Sequence, residues 1–305
     1  MIGHAASPAA TPSITAAPAA RRHAVQPGVR LRRIGYQVLL YSGAFLLTFY
    51  CVVPLVWMFI TALKPPNEVI TWPPVILPKE PTLRNFRLLF EESLILTFLR
   101  NSLVTAFAST VLSILLGTLA AYSLTRYNYW GRDKLATFIL LGYMFPPIVL
   151  IIPFFVWFKA IGLTDNYLGL IVTYVALGLP FATWLLWAFF QSIPMELEEA
   201  AWIDGATRAQ AIVHVIFPLA LPGVIATSIF TFIVAWNEYL FALILMNTDP
   251  MKTLPVGLAD LLNRPMTDWG VIMAAGVVIT LPALLFFILT QNYLIKGWGA
   301  GAVKG

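Results

Sequence analysis

The sequence is poor in charge, cysteine and histidine. Of its 305 residues only 11% are charged, against 59% hydrophobic, and the mean hydropathy is +0.82. So little polar surface does not clothe a water-soluble globule of this length, and the apolar side chains must face lipid or one another. The lone Cys51 excludes a disulfide within the chain, and its place in an apolar run reads as a small buried hydrophobe rather than a nucleophile. His4, His23 and His214 are too dispersed for a metal set, and neither H-E-x-x-H nor G-x-S-x-G occurs. A phosphate-cradling G-x-x-x-x-G-K-S/T is absent too, so the chain is expected to hold no ATPase site, metal or cofactor of its own, and not to be an enzyme. "GWGAGA" at 297–302 lacks the following helix that a dinucleotide loop needs and reads as a flexible end.

What the sequence has is long apolar runs. Uncharged stretches cover 36–63, 101–125, 135–158, 166–195, 215–237 and 269–295, each reaching the roughly 20 residues of a spanning helix. They are apolar on every face and show no two-residue alternation, which excludes a barrel. The expected fold is an all-α integral membrane protein with six transmembrane helices. In the third run Pro146, Pro147 and Pro153 are expected to interrupt the backbone ladder.

Residues 1–29, rich in Ala, Pro, Ser and Thr, read as a disordered tail, 30–298 as the membrane domain and 299–305 as a flexible end. No signal peptide is expected, since the first apolar run begins far downstream and is too long. Arg21, Arg22, Arg30, Arg32 and Arg33 precede the first run, while Arg126, Arg132 and Lys134 follow the second. The positive-inside bias places both segments, and with six spans both termini, in the cytoplasm. The net charge of +5 is accounted for by this arm and an anionic inner leaflet, so membrane lipid and no nucleic acid is the expected partner.

One polar island stands between the fourth and fifth runs. In "EEAAWIDGATRAQAIVHVIFPLALPG", 198–223, Pro194 opens a short helix whose first turns hold Glu196, Glu198 and Glu199, where the helix dipole favours acids, and Gly205 closes it. Thr207 and Gln210 have capping-box spacing, and Ile212, Val215, Ile216 and Leu219 form one apolar stripe on a second helix. Pro218 and Pro222 are expected to bend the chain into the fifth run. The result is a helix-turn-helix over about 192–217, with Ala200, Ala201 and Ala206 small enough to admit another surface.

"EAAWIDGATRAQAIVHVIFPLALP" resembles the E-A-A-x-x-x-G motif, with trailing I-x-L-P, of the membrane subunits of ATP-binding cassette importers. Glu199, Ala200, Ala201, Asp204, Gly205, Ala206 and Pro218 match it; Val215 and Phe217 replace the usual Ile and Leu. The resemblance covers about 36–298 and implies a MetI-like permease bundle whose coupling helices dock in a groove on a cytoplasmic ATPase. With "AWNEYLFALILM" in the fifth run, the layout is similar to the carbohydrate-uptake branch, and to the shorter of its two maltose-type permease subunits. Implied partners are two cytoplasmic ATPase subunits, a second permease subunit and an extracytoplasmic solute-binding protein, in a bacterial-type inner membrane. An importer for another small solute and an ion-coupled secondary carrier stand as alternatives.

Trp236, Asn237 and Glu238 are the candidate substrate-path residues. An ionisable group at span depth costs about 2.5–3.5 kcal/mol unless it faces a cavity or a partner. A Trp plane with an amide suits a pyranose, although Trp also suits an interfacial belt and Glu238 also suits pairing within the bundle. Asn85, Phe86 and the "EES" at 91–93 are placed by the resemblance in the outer loop where the binding protein docks.

Overall fold

The computed structural model describes residues 27–263 and 268–302, and all its regular structure is helical. The expected tail 1–29, with Arg21 and Arg22, lies almost wholly outside those residues, as do 303–305. The chain divides into two units at Pro54 and Leu55.

The described residues of the first unit, 27–54, form the leading part of α1 (Pro27–Ala62). Tyr36, Leu39, Phe45 and Tyr50 are exposed along it, and so is Cys51, against the expectation of burial. Among the described residues of this unit there is one helix, which has nothing within itself to bury a side chain against. Gly35–Ala62 is long and apolar enough to cross a membrane.

The second unit continues with α2 (Pro66–Val69), α3 (Arg84–Glu92), α4 (Ile95–Arg126), α5 (Arg132–Met144), α6 (Pro147–Ala160), α7 (Tyr167–Gln191), α8 (Glu196–Ile203), α9 (Arg208–Ala211), α10 (Phe217–Trp236), α11 (Leu240–Leu245), α12 (Leu254–Leu262) and α13 (Trp269–Ala302). α4 packs along α7, and α10 lies against α4, α7 and α13. Close approach of α4 and α7 needs Gly117, where a Cβ would meet the backbone nitrogen of Thr183 at 3.3 Å.

Ile95–Arg126, Tyr167–Gln191, Arg208–Trp236 and Trp269–Gln291 also have the length and hydropathy to span, giving five such helices among the described residues, or six if one bent pair counts as a span. That pair is α5 and α6, which the sequence presents as a single run and the structure bends by 94°. Phe145 and Pro146 each precede a proline, which disfavours helical backbone at both, and both are extended (φ −72°, ψ 126° and φ −61°, ψ 120°). Pro147 then starts α6 in its first turn, where the missing N–H is harmless. Pro153, by contrast, is absorbed inside α6 without a break.

Two boundaries differ from expectation. The expected bend at Pro218 and Pro222 does not interrupt the chain: Arg208–Trp236 is one continuous helical span, with a π turn over Ile212–Ile216 in which the Phe217 N–H reaches the Ile212 carbonyl. The wider turn loosens the ladder next to Pro218, which has no N–H to donate. At the other end α13 runs to Ala302, across the glycines of 297–302 that read as a flexible end. A helix already nucleated by a long apolar stretch propagates through single glycines at about 1 kcal/mol each.

Candidate functional site

The polar island folds as the sequence suggests in its backbone. α8 ends at Asp204, Gly205 takes φ +89°, and Thr207 with Gln210 closes a complete capping box at the start of α9. Positive φ is open to glycine and strained for a branched residue, so Gly205 makes the elbow between α8 and α9. Glu199, Ala200, Asp204 and Gly205 are exposed, and Ala201 and Ala206 half-buried. Pro218 is exposed too, just beyond the π turn. Ile203 projects from α8 with 86% of its surface free. Acids and small residues of the motif are thus exposed or half-buried around the elbow, beside the exposed apolar Ile203.

The inner side of the elbow holds what sequence reasoning missed. Glu198 is fully buried. Its carboxylate accepts from the Nε of Arg126 and from the Tyr122 hydroxyl at 3.0 Å, while the Arg126 guanidinium also donates to the Ile193 carbonyl at 3.0 Å. Tyr122 and Arg126 stand four apart, on one face at the end of α4. On the second arm, the Arg208 guanidinium lies over the rings of Trp202 and Tyr127, at 5.3 and 5.6 Å, and donates to the Tyr127 hydroxyl at 3.3 Å. Ile212, Val215 and Ile216 pack on Ala121, Tyr122, Leu186 and Phe190, whereas Leu219, the fourth residue of the expected stripe, is half exposed. No local signal in the sequence picks Glu198 over Glu199 as the inward acid, since Trp202 stands four positions from one and three from the other.

A cavity of about 500 Å³ opens where α5 bends into α6 and meets α7, α10 and α11. Its wall is mostly aromatic and aliphatic, including Tyr143, Phe154, Phe181 and Phe230, with Thr231 and Glu238 supplying polar atoms. Glu238 lies in the break between α10 and α11, and its carboxylate accepts from the backbone N–H groups of Phe241 at 2.9 Å and Ala242 at 3.1 Å. The carboxylate therefore caps α11, where the positive end of the helix holds an anion.

The other two candidate path residues do not line this cavity. Trp236 is 2% exposed, stacks on Phe232 and donates its indole N–H to the Ile279 carbonyl at 3.2 Å, so its ring is fixed to α13 rather than presented to a solute. Asn237 is exposed next to the wall and returns its amide to the Ile233 carbonyl at 2.8 Å. Adjacent residues at a helix end diverge by about 100°, and that rotation is invisible in the sequence. Asn85, expected as a docking residue, is buried and donates to the carbonyls of Ala62 and Lys64 at 2.9 Å, holding the end of α1. Glu91 and Glu92 are exposed.

Among known proteins, residues 113–298 match the family described as "Binding-protein-dependent transport system inner membrane component". The chain belongs to this family. The component is 37% identical to the sulfoquinovosyl glycerol transport system permease protein SmoH of Agrobacterium fabrum over 91% of its own length and 95% of the relative. It is 39% identical to the trehalose transport system permease protein SugB of Mycobacterium tuberculosis, over 84% and 93% respectively. Its fold matches a chain in the crystal structure of a bacterial ABC transporter involved in the import of the acidic polysaccharide alginate, with TM-score 0.71 and 24% identity over 88% of this chain and 99% of that one. The component is thus an all-α, MetI-like membrane subunit of an ABC importer.

Proposed function

We propose that this component moves a sugar or oligosaccharide, handed over by an extracytoplasmic binding protein, along a path that includes the cavity beside Glu238. Movement is driven by ATP-hydrolysing subunits docked on the α8–Gly205–α9 elbow. The observation that carries the reading is that elbow: an exposed Glu199, Ala200 and Asp204 around a glycine at φ +89°, on a segment matching the importer motif. The sugar class is supported by relatives named for trehalose and sulfoquinovosyl glycerol transport, and by the cavity, whose aromatic walls suit the apolar faces of sugar rings while Glu238 and Thr231 suit their hydroxyls. Hydrolysis belongs to the docked subunits, two copies in this reading, and a second permease subunit completes the path. The domain spans 30–298, and the arginine arm, the 126–134 link and both termini face the cytoplasm.

The test is reconstitution with the ATPase, second permease and binding protein in vesicles, measuring uptake of labelled disaccharides and ATP hydrolysis together. Sugar uptake that needs all four proteins, with hydrolysis stimulated by loaded binding protein, is the expected outcome. Uptake without ATP, or driven by an ion gradient, overturns it.

A further inference from the structure

The polar anchors of α4 are gathered at its two ends. At the Arg126 end, Glu198 of α8 is held by Arg126 and Tyr122, and both charges are nearly removed from solvent, with side-chain exposures of 7% and 0%. At the other end, Asn101 donates to the carbonyls of Pro250 and Lys252, each at 2.8 Å, and accepts from the Tyr167 hydroxyl at 2.6 Å. The Ser102 hydroxyl accepts from the Leu254 N–H at 2.8 Å. Asn101 and Arg126 are 25 residues apart on one uninterrupted helix, about 38 Å at 1.5 Å per residue.

Between the ends the helix is mostly apolar, and its few buried hydroxyls make no hydrogen bond to another helix among the described residues. Thr105, Ser109 and Thr110 are buried, and their hydroxyls bond carbonyls of α4 itself. The Ser113 hydroxyl is buried without a partner, and Gly117 lets α7 approach. A helix fixed by directional bonds at both ends and by small-residue packing in its middle moves as a stiff body, because no side-chain hydrogen bond along its length has to break when it slides or tilts on α7. A buried ion pair is a costly way to gain stability but a stringent way to fix geometry, since separating the charges leaves each unpaired in a dry site.

We propose that α4 is the transmission rod of this component. Glu198, Arg126 and Tyr122 are positioning residues that lock the elbow to one end of it, and Asn101 and Ser102 lock the 249–254 loop to the other. A displacement of the elbow then reaches that loop through one helix. The proposal rests on the elbow being the docking site of the ATPase subunits.

The assembled transporter in lipid nanodiscs, with a spin label on a cysteine at the exposed Thr248, tests it. ATP with vanadate should change the label's mobility in the parent protein. Arg126→Gln or Glu198→Gln should leave the ATPase subunits bound and hydrolysing, yet cut both the signal at 248 and the sugar moved per ATP by about fivefold or more. The exchange Arg126→Glu with Glu198→Arg should restore part of both, which a loss of folding does not predict. Where Arg126→Gln fails to accumulate, Tyr122→Phe, which removes one bond without unpairing the charges, and Asn101→Ala, which frees the other end, carry the same comparison at smaller amplitude. An unchanged ATP-dependent signal at 248 and unchanged coupling in these variants overturn the rod. A crosslink from Ile203→Cys to the ATPase, made separately, reports on docking: its absence in the parent protein removes the docking reading and the rod with it.

Discussion

Glu198 and Glu199 are adjacent on α8 and differ in surroundings: one carboxylate is buried against Arg126 and Tyr122, the other is exposed. The difference predicts opposite phenotypes. Glu198→Ala strands the Arg126 guanidinium in a dry site, at about 3–5 kcal/mol, and should lower the melting temperature and yield of the purified component. Glu199→Lys unpairs nothing, so the melting temperature should stay the same while the charge reversal weakens association with the ATPase subunits. Thermal unfolding of both variants, alongside pull-down of the ATPase, separates the two.

Gly205 should tolerate few replacements. A Cβ there meets nothing within 4 Å, so any cost comes from the backbone at φ +89°, about 1–3 kcal/mol for a branched side chain. Gly205→Val should therefore reduce ATP-driven uptake strongly, and Gly205→Asn, which accepts left-handed backbone more readily, should retain more of it. Equal activity in both variants and the parent would sink the view that the elbow angle matters.

Backbone grammar was legible where it is local. The cap at Thr207, the turn at Gly205 and the acidic first turn of α8 follow from residue types within a few positions of one another, and the structure has each of them. Facing was not legible. Glu198, Trp236 and Asn85 turn into the protein because of partners 21 to 76 residues away in sequence, such as the Tyr122 hydroxyl, the Ile279 carbonyl and the Lys64 carbonyl. Proline effects were legible only as alternatives: the pair at 146–147 breaks the helix because each residue before a proline is barred from helical backbone, whereas single prolines at 153 and 218 are absorbed.

The bend between α5 and α6 should depend on that pair. A continuous helix from Arg132 to Ala160 would measure about 42 Å at 1.5 Å per residue, whereas two such segments bent by 94° bring the same ends to about 28 Å. Pro146→Ala with Pro147→Ala should move the spin-label distance between those ends towards the longer value and reduce uptake. An unchanged distance would mean that packing, not the prolines, holds the bend.

Alkaline pH should loosen the 249–260 segment. Hydrogen bonds from Lys252 to Asp249 at 2.7 Å and Asp260 at 2.8 Å hold the ammonium above its ordinary range. A group whose folded pKa is raised contributes its stability fully below the unfolded value, about 10.4, and loses it as pH rises through the folded value. The partners are partly solvated, with side-chain exposures of 71% and 45%, so the effect is small, below about 1 kcal/mol. Proteolysis at this segment should become faster above pH 10 in the parent protein. Lys252→Met should show the faster rate already at neutral pH and lose the dependence.

Glu238 joins two roles, and they are separable by choice of substitution. Its carboxylate caps α11 through Phe241 and Ala242, and the same group is the charged member of the cavity wall. Glu238→Ala removes both roles, so it should cost about 1 kcal/mol of local stability as a lost cap and also impair uptake. Glu238→Gln keeps an oxygen that accepts one of the two backbone bonds but abolishes the charge, and it turns an acceptor into a donor towards a solute. If the side chain touches the sugar, Glu238→Gln should raise the uptake KM or shift preference among disaccharides with near-normal yield of the complex, and the neighbouring Asn237→Ala, off the wall, should change neither. Glu238→Gln with parental KM and preference, beside a Glu238→Ala that only destabilises, would leave the carboxylate as a cap and move the sugar contacts to the aromatic wall of Phe154, Phe181 and Phe230.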